Sequence, residues 1–197
     1  KNEAGPGLGG GGQSTSALAR LLQGAQRSVV IQSPYLVPTW EAMTLLQQLR
    51  ARGVAVRIST NSLASTDNLP AFSGYRNQRD RLLEMGLQIF EYRPAPKVQQ
   101  QLVQRLGAAQ RSAPVFALHA KTLVVDGKPV DIGTFNCDPR SQKLNTEVGV
   151  GSPDEALARA VDDRVRAPCQ PECPLRHRAG RHVRAASRGL ARGAGRV

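Results

Sequence analysis

Apolar runs separated by amphipathic segments occupy the first half of the chain. Three short runs have the β-branched and aromatic composition typical of strands: SVVIQS at 28–33, VAVRIST at 54–60 and LQIFEYRP at 87–94. Apolar side chains recur at helical spacing in three further segments, which are 17–25, 40–52 and 74–85. A strand–helix–strand succession implies right-handed crossovers, so this pattern predicts an α/β fold.

Residue types also predict where the first two helices begin and which side of the second is buried. Hydroxyl residues at 14–16 are predicted to cap the first helix, and Thr39 is predicted to cap the second. Helical spacing gives the second helix a predicted core-facing side made of Trp40, Met43, Leu46 and Leu49.

The second half of the chain contains a predicted β-hairpin. TLVVD at 122–126 and PVDIG at 129–133 flank Gly127-Lys128, and an Asp-Gly pair is typical of a tight hairpin turn. Further predicted elements are a helical portion near 98–107, a strand at 145–150 and a helix at 153–161.

Composition divides the chain into three regions. A Gly-rich lead-in at 1–13 is predicted to be flexible, a folded lobe is predicted at 14–163, and an Arg-rich tail follows at 164–197. The tail holds nine arginines and one acidic residue, so it carries +8 of the chain's net charge of +12. It shows no apolar periodicity, and we therefore expect it to be disordered. If the tail is native sequence, such a polycation could bind anionic lipid or nucleic acid. The alternative, of equal weight, is that the tail arises from translation of the coding sequence in a shifted reading frame.

The cysteines argue against a disulfide-rich or zinc-binding protein, and the hydropathy argues against a membrane-spanning helix. The three cysteines, Cys137, Cys169 and Cys173, are odd in number and poorly spaced for a disulfide framework or a zinc site. No apolar run approaches the roughly 20 residues of a membrane-spanning helix.

Candidate chemistry is concentrated around the predicted hairpin. His119 and Lys121 are two residues apart on an extended segment, so their side chains should point the same way. Gly133 allows a sharp turn, after which Thr134 and Asn136 share one side. An imidazole, an ammonium, a hydroxyl and an amide at one place suit a phosphate diester, because they supply a nucleophile or acid, a cation and neutral donors.

The pattern His-x-Lys, four residues, Asp, then Gly-Thr-x-Asn resembles the signature of the phospholipase D superfamily. Three further stretches resemble bacterial C-type cardiolipin synthases, specifically the C-terminal of their two catalytic lobes: Ser33-Pro34-Tyr35-Leu36-Val37-Pro38, Thr60 to Asp67, and Phe135 to Ser141 with Leu144 to Glu147. The resemblance implies a single phospholipase-D-type lobe, with a mixed β-sheet flanked by helices on both faces.

The same resemblance implies the roles of the site residues. His119 would be one of two histidines, either the nucleophile or the general acid, and neither a metal nor another cofactor would be needed. Lys121, Thr134 and Asn136 would bind the phosphoryl oxygens. Glu147 would accept a hydrogen bond from the other ring nitrogen of His119. Asp126 is a candidate catalytic residue, with a structural role in the turn as the alternative.

This chain departs from the family pattern because it carries one His-x-Lys motif instead of two. We therefore expect the second half of the site to come from a lobe upstream of Lys1 or from a second copy of the chain.

The expected function is transfer of a phosphatidyl group from a phosphatidylglycerol-like phospholipid, through a phosphohistidine, to give cardiolipin. The expected location is peripheral, on the cytoplasmic side of a bacterial inner membrane. The alternatives are a metal-independent nuclease or other phosphodiesterase acting as a homodimer, and an inactive lobe. Nucleic acid is the less favoured partner, because the charge of the lobe without its tail is modest.

Overall fold

The computed structural model describes residues 13–92, 117–166 and 175–177. The helices are α1 (Gln13–Gly24), α2 (Trp40–Ala51), α3 (Leu69–Glu84), α4 (Pro139–Lys143) and α5 (Glu155–Arg166). The strands are β1 (Ser28–Gln32), β2 (Ala55–Asn61), β3 (Gln88–Tyr92), β4 (Thr122–Val125), β5 (Val130–Gly133), β6 (Gly149–Ser152) and β7 (Leu175–His177). The helical portion predicted near 98–107 and the lead-in before Gln13 lie outside the described residues.

The strands form one mixed sheet in the order β6-β5-β4-β1-β2-β3-β7. β1, β2 and β3 are parallel, as the two crossovers through α2 and α3 require, and the other pairs are antiparallel. The predicted α/β class with a mixed sheet is therefore confirmed.

Alternating residues along the strands build a separate apolar core on each face of the sheet. On one face, Val29 and Ile31 of β1 pack with α2 and α3 through residues such as Leu46 and Leu82. On the other face, Val30 of β1 packs with Val124 and with the apolar side of α5. Helices cover both faces, as predicted, because each central strand is apolar on both sides.

The hairpin of β4 and β5 turns where the Asp-Gly pair predicts it. Asp126 and Gly127 have φ values of 53° and 80°, and Lys128 N donates to Val125 O at 2.8 Å. Positive φ at both central residues is the requirement of a type I′ turn, which Asp and Gly tolerate better than other residues.

Strand directions bring the candidate site residues to one edge of the sheet. The carboxyl ends of β1, β2 and β3 lie at this edge, and β4 begins there because Gln32 at the end of β1 pairs with Thr122. β5 ends there and β6 begins there, since Gly133 pairs with Gly149. The segments carrying His119, Thr134 and Glu147 therefore meet, whereas the turn at Asp126 lies at the opposite edge.

Two details of the first helices differ from the prediction. α1 begins at Gln13, so residues 14–16 are inside the helix; the hydroxyls of Ser14 and Thr15 donate to Glu147 O and Gln142 O at 3.1 and 3.3 Å. Trp40 is 68% exposed, while the other predicted core residues of α2 are buried. Trp40 stands at the first position of the helix, and the guanidinium carbon of Arg81 lies 5.0 Å from its ring centre.

The predicted disordered tail, 164–197, lies mainly outside the described residues. Its first three residues complete α5, and Leu175–His177 pairs with β3 as an edge strand. A three-residue strand has too few positions to produce a recognisable sequence pattern.

Candidate active site

His119 and Lys121 form the centre of the site, immediately before β4. The Lys121 Nζ lies 3.3 Å from His119 Nε2 and donates to the His119 carbonyl oxygen at 3.0 Å. The two side chains therefore point the same way, as their spacing predicts. Burial lowers the pKa of Lys121, and the acidic groups of Glu147, Asp67 and Asp138 act in the opposite direction. A partly desolvated ammonium attracts an anion more strongly than a fully hydrated one.

The segment that carries His119 is held by Asn61, the last residue of β2. Asn61 Nδ2 donates to Leu118 O at 2.9 Å, and Leu118 N donates to Asn61 Oδ1 at 2.8 Å. The side chain is 2% exposed, and Ser65 Oγ also donates to its Oδ1, at 3.1 Å. Asn61 thus fixes the backbone next to His119 as a second strand would.

Glu147 and Thr134 form a second polar group at the same edge. Glu147 is buried; its Oε2 accepts a hydrogen bond from Thr134 Oγ1, and its Oε1 accepts one from Asn145 Nδ2 at 3.2 Å. Val148 N in turn donates to Thr134 Oγ1 at 3.0 Å. Among the described residues, the Glu147 carboxylate accepts hydrogen bonds from the side chains of Thr134 and Asn145. The expected hydrogen bond between Glu147 and the imidazole of His119 is not formed there.

Asn136 lies on the loop between β5 and α4. Its backbone N donates to Ser141 Oγ at 3.0 Å, while its side-chain Oδ1 is buried without a hydrogen-bond partner among the described residues. Oxygen and nitrogen of an amide are assigned from their partners, so either end can face this position. A buried amide without a partner is a costly arrangement, which a hydrogen bond to a ligand would relieve.

The loop of Asn136 is docked on the segment after β1. Cys137 N donates to Ser33 Oγ at 2.9 Å, and Val37 N donates to Cys137 O at 2.7 Å. Burial raises the pKa of the Cys137 thiol to about 11, so this cysteine stays protonated and packs as an apolar group. The SPYLVP and FNCDPRS stretches therefore support each other and shape the edge beside Lys121.

Asp126 does not lie with the other candidate residues, and its position favours the structural alternative over the catalytic assignment made from the motif. Its carboxylate accepts from the backbone N of Gln26, Arg27 and Ser28 at 2.7–2.8 Å, at the amino end of β1. Burial would raise the pKa of Asp126, but these three N–H groups outweigh it and lower the pKa. These bonds join the hairpin turn to the start of β1.

Sequence reasoning missed Asn61 and Ser33 as positioning residues. Asn61 is the last residue of β2 and Ser33 directly follows β1, so both lie where a buried strand ends, and both are types that readily bond to backbone groups. That combination is the signal that identifies them.

Two kinds of feature are absent from the described residues. Residues 13–92, 117–166 and 175–177 contain no group of three His, Cys, Asp or Glu side chains arranged to bind a metal ion. In the same residues, no helix is both long enough and apolar enough to cross a membrane.

Similarity to known proteins covers most of the chain. Residues 18–167 match a family model described as "Cardiolipin synthase, PLD-like domain". Over 132 residues the chain is 41% identical to cardiolipin synthase C of Escherichia coli strain K12, an alignment that covers 67% of this chain and 27% of that protein. The chain spans about a quarter of the length of this relative and of a second curated relative that it matches.

Solved structures share the fold at low sequence identity. The phospholipase D family member Nuc from Salmonella typhimurium is 16% identical with a TM-score of 0.61, over 86% of this chain and 93% of that chain. Phosphatidylserine synthase of Haemophilus influenzae Rd KW20 is 16% identical with a TM-score of 0.58, over 86% of this chain and 38% of that chain. At these identities the likeness shows the fold alone.

Proposed function

Because the chain belongs to the family of cardiolipin synthase, PLD-like domains, we propose that it forms one half of a phosphatidyltransferase site. The resemblance to the phospholipase D superfamily and to a cardiolipin synthase lobe is confirmed by the match over 18–167. In the proposed reaction a phosphatidyl group passes from one phospholipid to the hydroxyl of an acceptor alcohol. With the glycerol end of phosphatidylglycerol as acceptor, the product is cardiolipin.

The reaction needs two imidazoles with complementary tasks. One attacks the phosphorus, forming a nitrogen–phosphorus bond as the bond to the leaving oxygen breaks, and the other donates a proton to that oxygen. The acceptor hydroxyl then gives its proton to the second imidazole and attacks the phosphorus, which releases the first. We assign His119 one of these two tasks.

Lys121, Thr134 and Asn136 are proposed to bind the phosphoryl oxygens. The observation that carries the proposal is the 3.3 Å separation of Lys121 Nζ and His119 Nε2, because a phosphate bound by the ammonium places its phosphorus next to the ring. Positive charge beside the oxygens that gain charge in the transition state is the main source of rate acceleration in such sites. Glu147 is proposed to orient the Thr134 hydroxyl, to which it is bonded.

The second imidazole is proposed to come from another catalytic lobe or from a second copy of this chain. Of the three histidines, His119 alone is followed by Lys two residues later. His177 lies opposite Ile89 on β7, at the other end of the sheet from β4. A partner must therefore approach the edge of the sheet where His119 is exposed.

The substrate is proposed to be an anionic phospholipid taken from a membrane surface, at the cytoplasmic face of a bacterial inner membrane. A net charge of +12 supports binding to such a surface. The chain would bind peripherally.

Cardiolipin formation from radiolabelled phosphatidylglycerol tests this function. The chain is assayed alone and with a separately expressed amino-terminal lobe of a cardiolipin synthase, and activity is expected in at least one of the two mixtures. His119→Ala should lower the rate at least a thousandfold, while Asp126→Asn, at the opposite edge, should retain it. Transfer by the His119→Ala variant would show that another group is the reactive imidazole.

A nuclease formed by two copies of the chain is the second candidate, favoured by the same net charge of +12. It predicts cleavage of DNA in the presence of a chelator by a dimeric protein, without transfer of labelled phospholipid. Absence of both activities in every mixture would leave an inactive lobe.

A further inference from the structure

A cavity of about 460 Å³ opens between α1, α2 and the sheet, on the face that carries Lys121. Its walls are mainly aliphatic, with Leu18 and Leu22 from α1, Leu45 from α2, Ile31 and Leu123 from the sheet, and Leu36 from the loop after β1. Cavities of 300–1,000 Å³ with apolar walls and a few polar groups are typical small-molecule sites.

Small residues on the two helices leave this space open. Ala19 of α1 and Ala42 of α2 both line the cavity and are only partly buried. Larger apolar residues at these positions would fill it, as close packing does elsewhere in the core. The gap is therefore a feature of the helix sequences.

The polar end of the cavity belongs to the candidate active site. Lys121 lines the cavity, and its Nζ is the atom that lies 3.3 Å from His119 Nε2. Asp138 and Phe135, on either side of Asn136, line it as well. An apolar chamber that ends at a cation is complementary to an amphiphile with an anionic head and a hydrocarbon tail.

Besides Asp138 at the polar end, two acidic residues line the wall, and both are placed away from the apolar centre. Glu41 is exposed on the outer side of α2. Asp131, on β5, directs its carboxylate towards β6: its Oδ2 would lie 2.9 Å from a Cβ added to Gly149. Burial raises the pKa of Asp131 above its ordinary value.

We propose that this cavity binds one acyl chain of the phospholipid whose phosphate contacts Lys121. The proposal rests on the proposed function for the position of the phosphate, and it adds a site for the hydrocarbon part of the substrate. One chain withdrawn into the protein would position the phosphorus in front of His119 and leave the other chain in the membrane.

The chain's single tryptophan makes the site directly measurable. Trp40 lines the cavity, and bromine atoms on an acyl chain quench indole fluorescence on close approach. The probe is lysophosphatidylglycerol with a dibrominated octadecanoyl chain, titrated below its micelle concentration, with the unbrominated lipid as reference. Saturable quenching by the brominated lipid alone is expected. Affinity should fall about fourfold for each methylene group removed from the chain.

A matched pair of substitutions in α1 distinguishes lipid binding in the cavity from lipid binding on the outside of the helix. Ala19→Leu fills the cavity and should weaken binding at least tenfold, whereas Ala17→Leu, on the exposed side of the same helix, should leave it unchanged. Leucine is a good helix former, so both variants should keep α1. If circular dichroism shows that Ala19→Leu is unfolded, Ala42→Leu on α2 gives the same test.

The outcomes distinguish this proposal from the proposed function. No specific quenching, or equal quenching in Ala17→Leu and Ala19→Leu, would overturn the acyl-chain site, and a segment of protein would then be the better occupant. Quenching that persists in His119→Ala supports the site, because chain binding does not need the reactive imidazole. Quenching by a protein that transfers no phosphatidyl group in any mixture would overturn the proposed function while keeping the cavity.

Discussion

Individual polar side chains differ in how firmly the fold holds them at the candidate site. Glu147 is buried with both oxygens bonded, and Asn61 is buried and bonded to Leu118 and Ser65. His119, by contrast, is exposed on the edge of the sheet and is bonded to Lys121. The residues proposed to react are accessible, while the residues that position them are fixed by the interior.

Replacing Glu147 by glutamine should destabilise the fold through its hydrogen bonds. The substitution keeps the shape but puts an NH₂ group where a carboxylate oxygen accepts from Thr134 or Asn145. Loss of one such buried bond should lower the free energy of unfolding by about 1–3 kcal/mol, measured by urea denaturation. Glu84→Gln, on an exposed position of α3, is the control and should change stability by less than about 0.5 kcal/mol. Equal effects of the two variants would contradict the buried role of Glu147.

Asp126→Asn should lower stability in a pH-dependent way without removing catalysis. Asparagine tolerates the positive φ of this position but binds the three N–H groups less strongly than a carboxylate, at a cost of about 1–2 kcal/mol. The folded-state pKa of Asp126 is lowered, so its stabilisation is complete above the unfolded-state value of about 3.9 and is lost as the pH falls through the folded-state value.

Urea denaturation of the two proteins between pH 7 and pH 2.5 measures this difference. The gap in unfolding free energy should be constant down to about pH 4 and should close below it. A gap that persists at pH 2.5, or loss of phosphatidyl transfer by a folded Asp126→Asn protein, would return Asp126 to the list of catalytic candidates.

At the scale of elements, the sequence predicts what local patterns encode. The β4–β5 hairpin was predictable because its turn and alternating side chains lie within 12 residues, and the α/β class follows from alternating strand and helix patterns. The start of α1 was mispredicted because the hydroxyls of Ser14 and Thr15 bind carbonyls more than 100 residues away. Partners of Glu147 and Asp126 were likewise set by the tertiary fold, which no local pattern contains.

Asn61→Ala tests whether Asn61 positions His119 for catalysis or only contributes to the stability of the fold. Without its amide, Leu118 loses two hydrogen bonds and the segment carrying His119 is less restrained. We expect kcat to fall ten- to a hundredfold with a smaller change in KM, because a misplaced nucleophile or acid affects the chemical step. Asp154→Ala removes the side chain that binds the first turn of α5, on the other face of the sheet, and costs about 1 kcal/mol of stability. It should leave kcat unchanged; equal kcat in both variants would show that Asn61 has no positioning role.

At the scale of the whole molecule, the order of the strands determines where the site lies, and the distribution of charge bears on the proposed binding to a membrane. The sequence did not predict that β4 pairs with β1, because this contact joins segments about 90 residues apart. That pairing brings His119 to the edge where the three parallel strands end. Charge, in contrast, was readable directly, since the arginines of 178–197 contribute half of the net charge of +12.

Truncation after His177 should weaken binding to anionic vesicles more than it affects the fold. It removes six arginines and no acid while keeping β7. Each basic residue near an anionic surface contributes up to about 1 kcal/mol, an attraction that falls off within the Debye length. Sedimentation with phosphatidylglycerol vesicles should therefore show at least a tenfold loss of affinity at about 0.1 M salt, and a smaller difference between the two proteins at 0.5 M. Binding to neutral phosphatidylcholine vesicles is the control and should be weak for both. Equal affinity of the two proteins for anionic vesicles would mean that the lobe, and not residues 178–197, carries the interaction with the membrane.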